Sequence, residues 1–192
     1  DPTNSNLIQL RYVLAGEMQR RERRQKLQQG LNQVRNFLDS LDPARALTVV
    51  RSPDQELSKD DGFESVQFEL TALQKEAEEL NDAQQRLTAA RNLEANQDWH
   101  GVVAQLSGIA PQCAIRLPEI AATLARAQQE IAARQRREDI SQALVRGRAL
   151  LEAGDIAGAA SAVRASIGLF PESGGLRELS ASIAAEGRRR QQ

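Results

Sequence analysis

An apolar triad with spacing three then four occurs four times in this chain, and its regular return most constrains the fold. The copies are Leu7-Leu10-Leu14, Phe63-Val66-Leu70, Leu117-Ile120-Leu124 and Leu176-Leu179-Ile183, separated by 56, 54 and 59 residues. Three-then-four spacing places all three side chains on one face of an α-helix. A second signature keeps the same beat: Arg35, Arg91 and Arg148 each precede an aspartate, Asp42, Asp98 and Asp155, by seven residues. A repeat of about 56 residues built on helical spacing predicts an all-α array, in which each unit packs mainly on its neighbours. Arrays of this kind are usually surfaces for partners rather than enzymes.

The composition agrees with a thin core. Hydrophobic residues make up 41% of the 192 residues and aromatics only 3%, so filling falls to Leu, Ile, Val and Ala. Alanine lets helices approach closely but buries little area. The net charge of −1 conceals a basic start (+3 over residues 1–48), an acidic middle (−7 over 49–98) and a basic end (+3 over 99–192). The acidic middle argues against a continuous nucleic-acid track, which needs clustered positive charge. Cys113 is the only cysteine, which excludes an intrachain disulfide and fits a reducing, cytoplasmic setting. No run approaches the roughly 20 apolar residues of a membrane helix, and no signal-peptide pattern opens the chain. The start at Asp1-Pro2-Thr3-Asn4, without Met, reads as a piece of a longer chain.

Along the chain the reading is long, short, long, short, long, short, then a final helix. Residues 4–41 form one proline-free helix whose centre, Arg20 to Lys26, is almost wholly charged. Asp42-Pro43 restarts a short helix to about Arg51, since Asp is a preferred N-cap and Pro is tolerated at the first helical position. A polar loop to Gly62 leads into a second long helix, about Phe63–Asn96, with the seam Phe63, Val66, Leu70, Leu73, Ala77, Leu80 and Leu87 broken only at Gln84. Asp98 caps a short helix, Trp99–Ile109, and Pro111-Gln112-Cys113-Ala114 reads as a loop. The third long helix runs from Ile115 or Arg116 to Ala153, with Pro118 near its first turn. Gly154 suits a left-handed helix end, Asp155 caps Ile156–Leu169, and a last helix runs from Gly174 or Gly175 towards Arg188 before a fraying tail. The units are approximately 4–62, 63–114 and 115–173, with a terminal helix in 174–192, in a single array.

Within the last unit, Gly147, Leu150, Gly154, Asp155, Ala159, Val163 and Pro171 fall in the register of a tetratricopeptide repeat. The stretch resembles that family, a helix hairpin of about 34 residues with small residues where its helices cross. Ala90, Leu93, Asp98, Val102, Leu106 and Ile109 follow the register in the middle copy, with Pro111 three residues early, and the first copy follows it less. The period exceeds the family's by about 22 residues, close to six helical turns, which implies hairpins whose first helix is lengthened with its stripe returned to the same face. Long helices broken at residues 18–26 or 132–139 would refute this. Lengthened repeats of this kind resemble regions attached to bacterial receptor-like serine/threonine protein kinases and other signalling proteins. No Gly-rich phosphate loop, His-Arg-Asp or Asp-Phe-Gly motif accompanies them here.

No residue pattern carries catalysis, a cofactor or a metal. His100, the only histidine, has no partner at ligand spacing; Cys113 has no activating base nearby in sequence; Trp99 reads as a packing residue. The Arg20–Lys26 cluster lacks interleaved aromatics for base stacking and reads as a solvated helix face, as does Arg134–Arg137. The acidic residues 54–61 lack the alternation and distal Glu of a calcium loop. The expected function is therefore a non-catalytic protein–protein interaction scaffold, with Arg35, Arg91 and Arg148 as candidate partner-binding residues suited to an acidic peptide. No nucleic acid, membrane insertion or cofactor is expected. The alternative is a coiled-coil-like spacer or dimerisation module through the seams at 63–87 and 117–131, giving a homodimer.

Overall fold

A computed structural model describes residues 2–52 and 64–190, all-helical apart from short turns. Eight helices follow one another among the described residues: α1 (Pro2–Asp39), α2 (Pro43–Val50), α3 (Glu64–Ala95), α4 (Trp99–Leu106), α5 (Pro111–Arg116), α6 (Pro118–Glu152), α7 (Ile156–Leu169) and α8 (Gly174–Arg189). The expected loop ahead of Phe63, and Phe63 itself, lie outside the described residues. Short helices separate the long ones, α4 and α5 in succession between α3 and α6, and α1 and α6 run unbroken through residues 18–26 and 132–139. Arg, Gln and Ala propensity favours helix in these polar stretches, and in the second Arg136 also pairs with Glu172.

Three joints repeat in detail. At each, a long helix ends, one residue turns left-handed, and the next residue is the aspartate that caps the short helix. The left-handed residues are Leu41 (φ 58°), Gln97 (φ 58°) and Gly154 (φ 82°). Asp42, Asp98 and Asp155 donate their backbone N–H back to Phe37, Leu93 and Leu150 at 2.8, 2.9 and 3.0 Å. Their carboxylates accept from the backbone N–H of Arg45, Gly101 and Gly158 at 3.2, 3.0 and 2.8 Å. One aspartate thus closes one helix and opens the next. Only the third joint uses glycine, the residue that meets no Cβ penalty at positive φ. Gly154→Ala is expected to lower stability by about 1 kcal/mol, read as a shifted denaturant midpoint with unchanged slope.

The chain divides into two compact units, Asp1–Leu124 and Ala125–Gln192, with α6 running from one into the other. In the first, Val34 and Leu38 of α1, Ala46, Leu47 and Val50 of α2, and Ala77 and Leu80 of α3 form one core, with Leu70, Leu73 and Leu117 packed against it. In the second, Ala159 and Val163 of α7 meet Leu179 and Ile183 of α8, with Leu144, Leu150 and Leu151 of α6 against them. Gly147 marks a close crossing: a Cβ there would lie 2.7 Å from Val163 Cγ2 and 2.8 Å from Leu179 Cδ2.

Four sequence expectations need correction. The Pro111–Ala114 stretch is not a loop but the start of α5, and the third long helix begins at Pro118 rather than at residue 115 or 116. A proline drives the residue before it out of the α region, so no helix runs through Leu117 (φ −117°, ψ 76°). The first long helix ends at Asp39, two residues early, because Leu41 turns left-handed. The described end of the expected fraying tail is held instead: Arg190 donates to Glu186 at 3.1 Å and to the Gly154 carbonyl at 3.3 Å, while Gln191 and Gln192 lie outside the described residues. Finally, the first triad differs from the last. Leu7, Leu10 and Leu14 are 60%, 61% and 55% exposed, whereas Leu176, Leu179 and Ile183 are at most 7% exposed.

Candidate partner-binding surfaces

The three arginines occupy equivalent sequence positions and different environments. Arg35, one turn before the end of α1, forms an ion pair with Glu69 of α3 and donates to Asn32 Oδ1 at 3.4 Å. Arg91 repeats the arrangement one long helix on, forming an ion pair with Glu119 of α6. Both pairs are half exposed, so each contributes at most about 1 kcal/mol. Arg148 is exposed and makes no hydrogen bond or ion pair with another described residue. Two of the three guanidinium groups therefore brace one long helix against the next, and an acidic ligand at either must displace a carboxylate of the chain itself.

Other straps were not foreseen. Gln84, the one interruption of the second seam, donates to the Leu41 carbonyl at 2.8 Å and ties α3 to the α1–α2 joint. Arg51 at the end of α2 reaches Glu78 of α3 at 3.3 Å. Hydrogen bonds from Gln74 and then Arg51 hold the Glu78 carboxyl below its usual range. Arg136, from the charged centre of α6, pairs with Glu172 and lies 5.8 Å from the ring centroid of Phe170. A cation above a ring face is attracted by the ring quadrupole. Pattern reading saw these residues as breaks and spacers because their partners are far away in sequence.

Open grooves occur among the described residues. One of about 380 Å³ runs between α3 and α5 and has Cys113 at its base, with Glu76, Glu79, Gln112 and Arg116 around it. Its polar groups satisfy one another: Gln112 donates to Glu79 at 3.0 Å, and Arg116 pairs with Glu76 at 2.6 Å. Cys113 is 4% exposed. Burial pushes its thiol up from its ordinary value, and the Glu79 carboxylate adds to that, against a smaller opposing pull from Arg116. A neutral, enclosed thiol is a poor nucleophile. Iodoacetamide at pH 8 is expected to label Cys113 at least about tenfold more slowly in the folded chain than in urea, measured by mass spectrometry over time. The raised thiol also contributes stability below its unfolded pKa, lost as pH rises through the folded value.

The second groove, about 540 Å³, lies between α6 and α7, with Asp139, Gln142 and Arg146 on one wall and Ser161, Ala165 and Leu169 on the other. The first wall offers charge and hydrogen bonds. The second offers small side chains that let another backbone approach. His100 is exposed near the start of α4. Trp99 beside it has a buried indole N–H with no acceptor among the described residues. No group of three or more His, Cys, Asp or Glu that could hold a metal ion occurs among the described residues, and no described helix is long and apolar enough to cross a membrane.

Exposed large apolar side chains concentrate on α1. Every residue from Gln9 to Lys26 is exposed. Of the eleven large apolar side chains that stand exposed among the described residues, six fall between residues 7 and 18: Leu7, Leu10, Tyr12, Val13, Leu14 and Met18. The seams at 63–87 and 117–131, by contrast, turn Ala77, Leu80, Leu87, Ile120 and Ala127 inward, each at most 6% exposed. No protein-family model, no curated protein and no solved structure matches this chain.

Proposed function

We propose that the chain is a non-catalytic scaffold that binds proteins or peptides on its long helices, and that it belongs to a larger bacterial signalling protein such as a serine/threonine kinase. One observation carries the scaffold reading: the six large apolar side chains left in water within twelve residues of α1. A contiguous exposed apolar face marks an interaction site. Burying even three leucines yields about 5 kcal/mol before the costs of association. The signalling context rests on the resemblance to lengthened tetratricopeptide-like repeats.

Arg148, with no intramolecular partner among the described residues, supports the finer reading in which this register takes an acidic segment. If replacing Arg35, Arg91 and Arg148 together by Ala left partner binding intact and lowered only the melting temperature, that finer reading would fail.

The scaffold reading is tested by cross-linking the full chain in an extract of its own cells, beside a variant carrying Leu10→Glu and Leu14→Glu. Cross-links to other proteins should concentrate near residues 7–26 and vanish in the variant. Identical cross-link maps for the two proteins would sink the reading. The spacer or dimerisation alternative predicts a tight dimer whose mass by light scattering does not change with concentration. The burial of Ala77, Leu80, Leu87, Ile120 and Ala127 of these seams within the chain supports the scaffold over the dimer.

A further inference from the structure

We infer that the Leu7-Leu10-Leu14 face of α1 takes a short amphipathic helix of one defined pattern: a capping aspartate followed at +4 and +8 by two aliphatic residues. This rests on the scaffold reading and names the partner that surface accepts.

The pattern comes from the chain itself. Asp42 is followed by Ala46 and Val50, Asp98 by Val102 and Leu106, and Asp155 by Ala159 and Val163. All six aliphatic residues are buried. Residues four apart stand on one face of a helix, and the aspartate fixes where that helix begins. After each short helix the chain returns with a three-then-four triad, starting 21, 19 and 21 residues beyond the aspartate. In the first instance Leu70 of the triad packs against the core built from Ala46, Leu47 and Val50. In the third, Leu179 and Ile183 share one core with Ala159 and Val163. In the second, Val102, Leu106 and the triad's Ile120 are at most 2% exposed.

The first triad has the same spacing in the same kind of long helix, and it lies bare. In the first and third instances the cover is a short helix of this pattern, so the occupant that fits the bare triad has that chemistry. Charge points the same way. Residues 7–26 carry six basic and two acidic side chains. A second α1 laid alongside would bring the same positive charge within a Debye length of about 10 Å, whereas an aspartate-capped helix brings a carboxylate.

The test appends a second copy of residues 40–56 ahead of Asp1 of the full chain. The copied aspartate then stands 21 residues before Leu7, as Asp42 stands before Phe63. Hydrogen exchange of amides 7–18 should slow at least about tenfold relative to the unmodified chain. The protection should disappear when the appended copy alone carries Ala46→Glu and Val50→Glu. Unchanged exchange with the intact copy overturns the inference. So does a dimer of the unmodified chain in which amides 7–18 are already protected and which Leu10→Glu dissociates, because the occupant is then a second α1. If the appended helix gives no protection while the α1-dependent cross-links persist in extract, the scaffold reading stands and this inference alone falls.

Discussion

Leu80→Ala is expected to destabilise the first unit by about 2–5 kcal/mol, a fall in melting temperature of roughly 10 °C, followed by circular dichroism at 222 nm. Leu80 is 1% exposed and sits where α3 meets α1 and α2. Truncation removes the transfer free energy of the lost methyl groups and leaves a cavity that rigid helices cannot close. Leu10→Ala supplies the control. It is the same substitution within the same kind of apolar helical spacing, yet at 61% exposure it should change stability by less than about 0.5 kcal/mol. Equal effects would mean that α1 is covered in solution or that Leu80 is not in the core.

Gly147→Val should cost about 3 kcal/mol and act on the second unit. The Cβ alone would come within 2.8 Å of both Val163 and Leu179, and valine adds two more carbons with a χ1 that the helix already restricts. Valine is a better helix former than glycine by a few tenths of a kcal/mol, too little to offset the overlap. Amide exchange should rise first in α7 and α8, whose shared core this glycine permits. Gly168→Ala is the counterpart. Nothing lies within 4 Å of its Cβ position, so the helix-propensity gain of up to about 1 kcal/mol should appear undiminished. If Gly147→Val proved harmless, the close crossing of α6 with α7 and α8 would be in error.

Much of the fold was legible for a local reason. Asp42, Asp98 and Asp155 act on backbone N–H groups three residues away. Pro43 sits at the first position of its helix, and the limits of α7 follow directly from Asp155 and Phe170-Pro171. The α5 helix was missed because six residues hold less than two turns of periodicity, and only the paired constraints of Pro111 and Pro118 betray it. The left-handed Leu41 and Gln97 were invisible, since neither residue type favours positive φ and the surrounding hydrogen bonds impose it.

The candidate surfaces were less legible than the fold. Arg35, Arg91 and Arg148 share a sequence register, but register says nothing of what stands opposite. Glu69 and Glu119 are 34 and 28 residues from their arginines. Gln84 and Arg136 read as polar interruptions for the same reason.

The sequence by itself determined the all-α class, the long helices separated by short ones and the aspartate at three of the joints, because helix propensity, capping and apolar spacing act within a few residues of the chain. Tertiary structure alone decided which triads are core and which is bare, which arginines are braces, and that Cys113 is enclosed. Burial depends on which surfaces meet, and copies of one pattern are chemically alike until a neighbour covers the last of them and leaves the first in water.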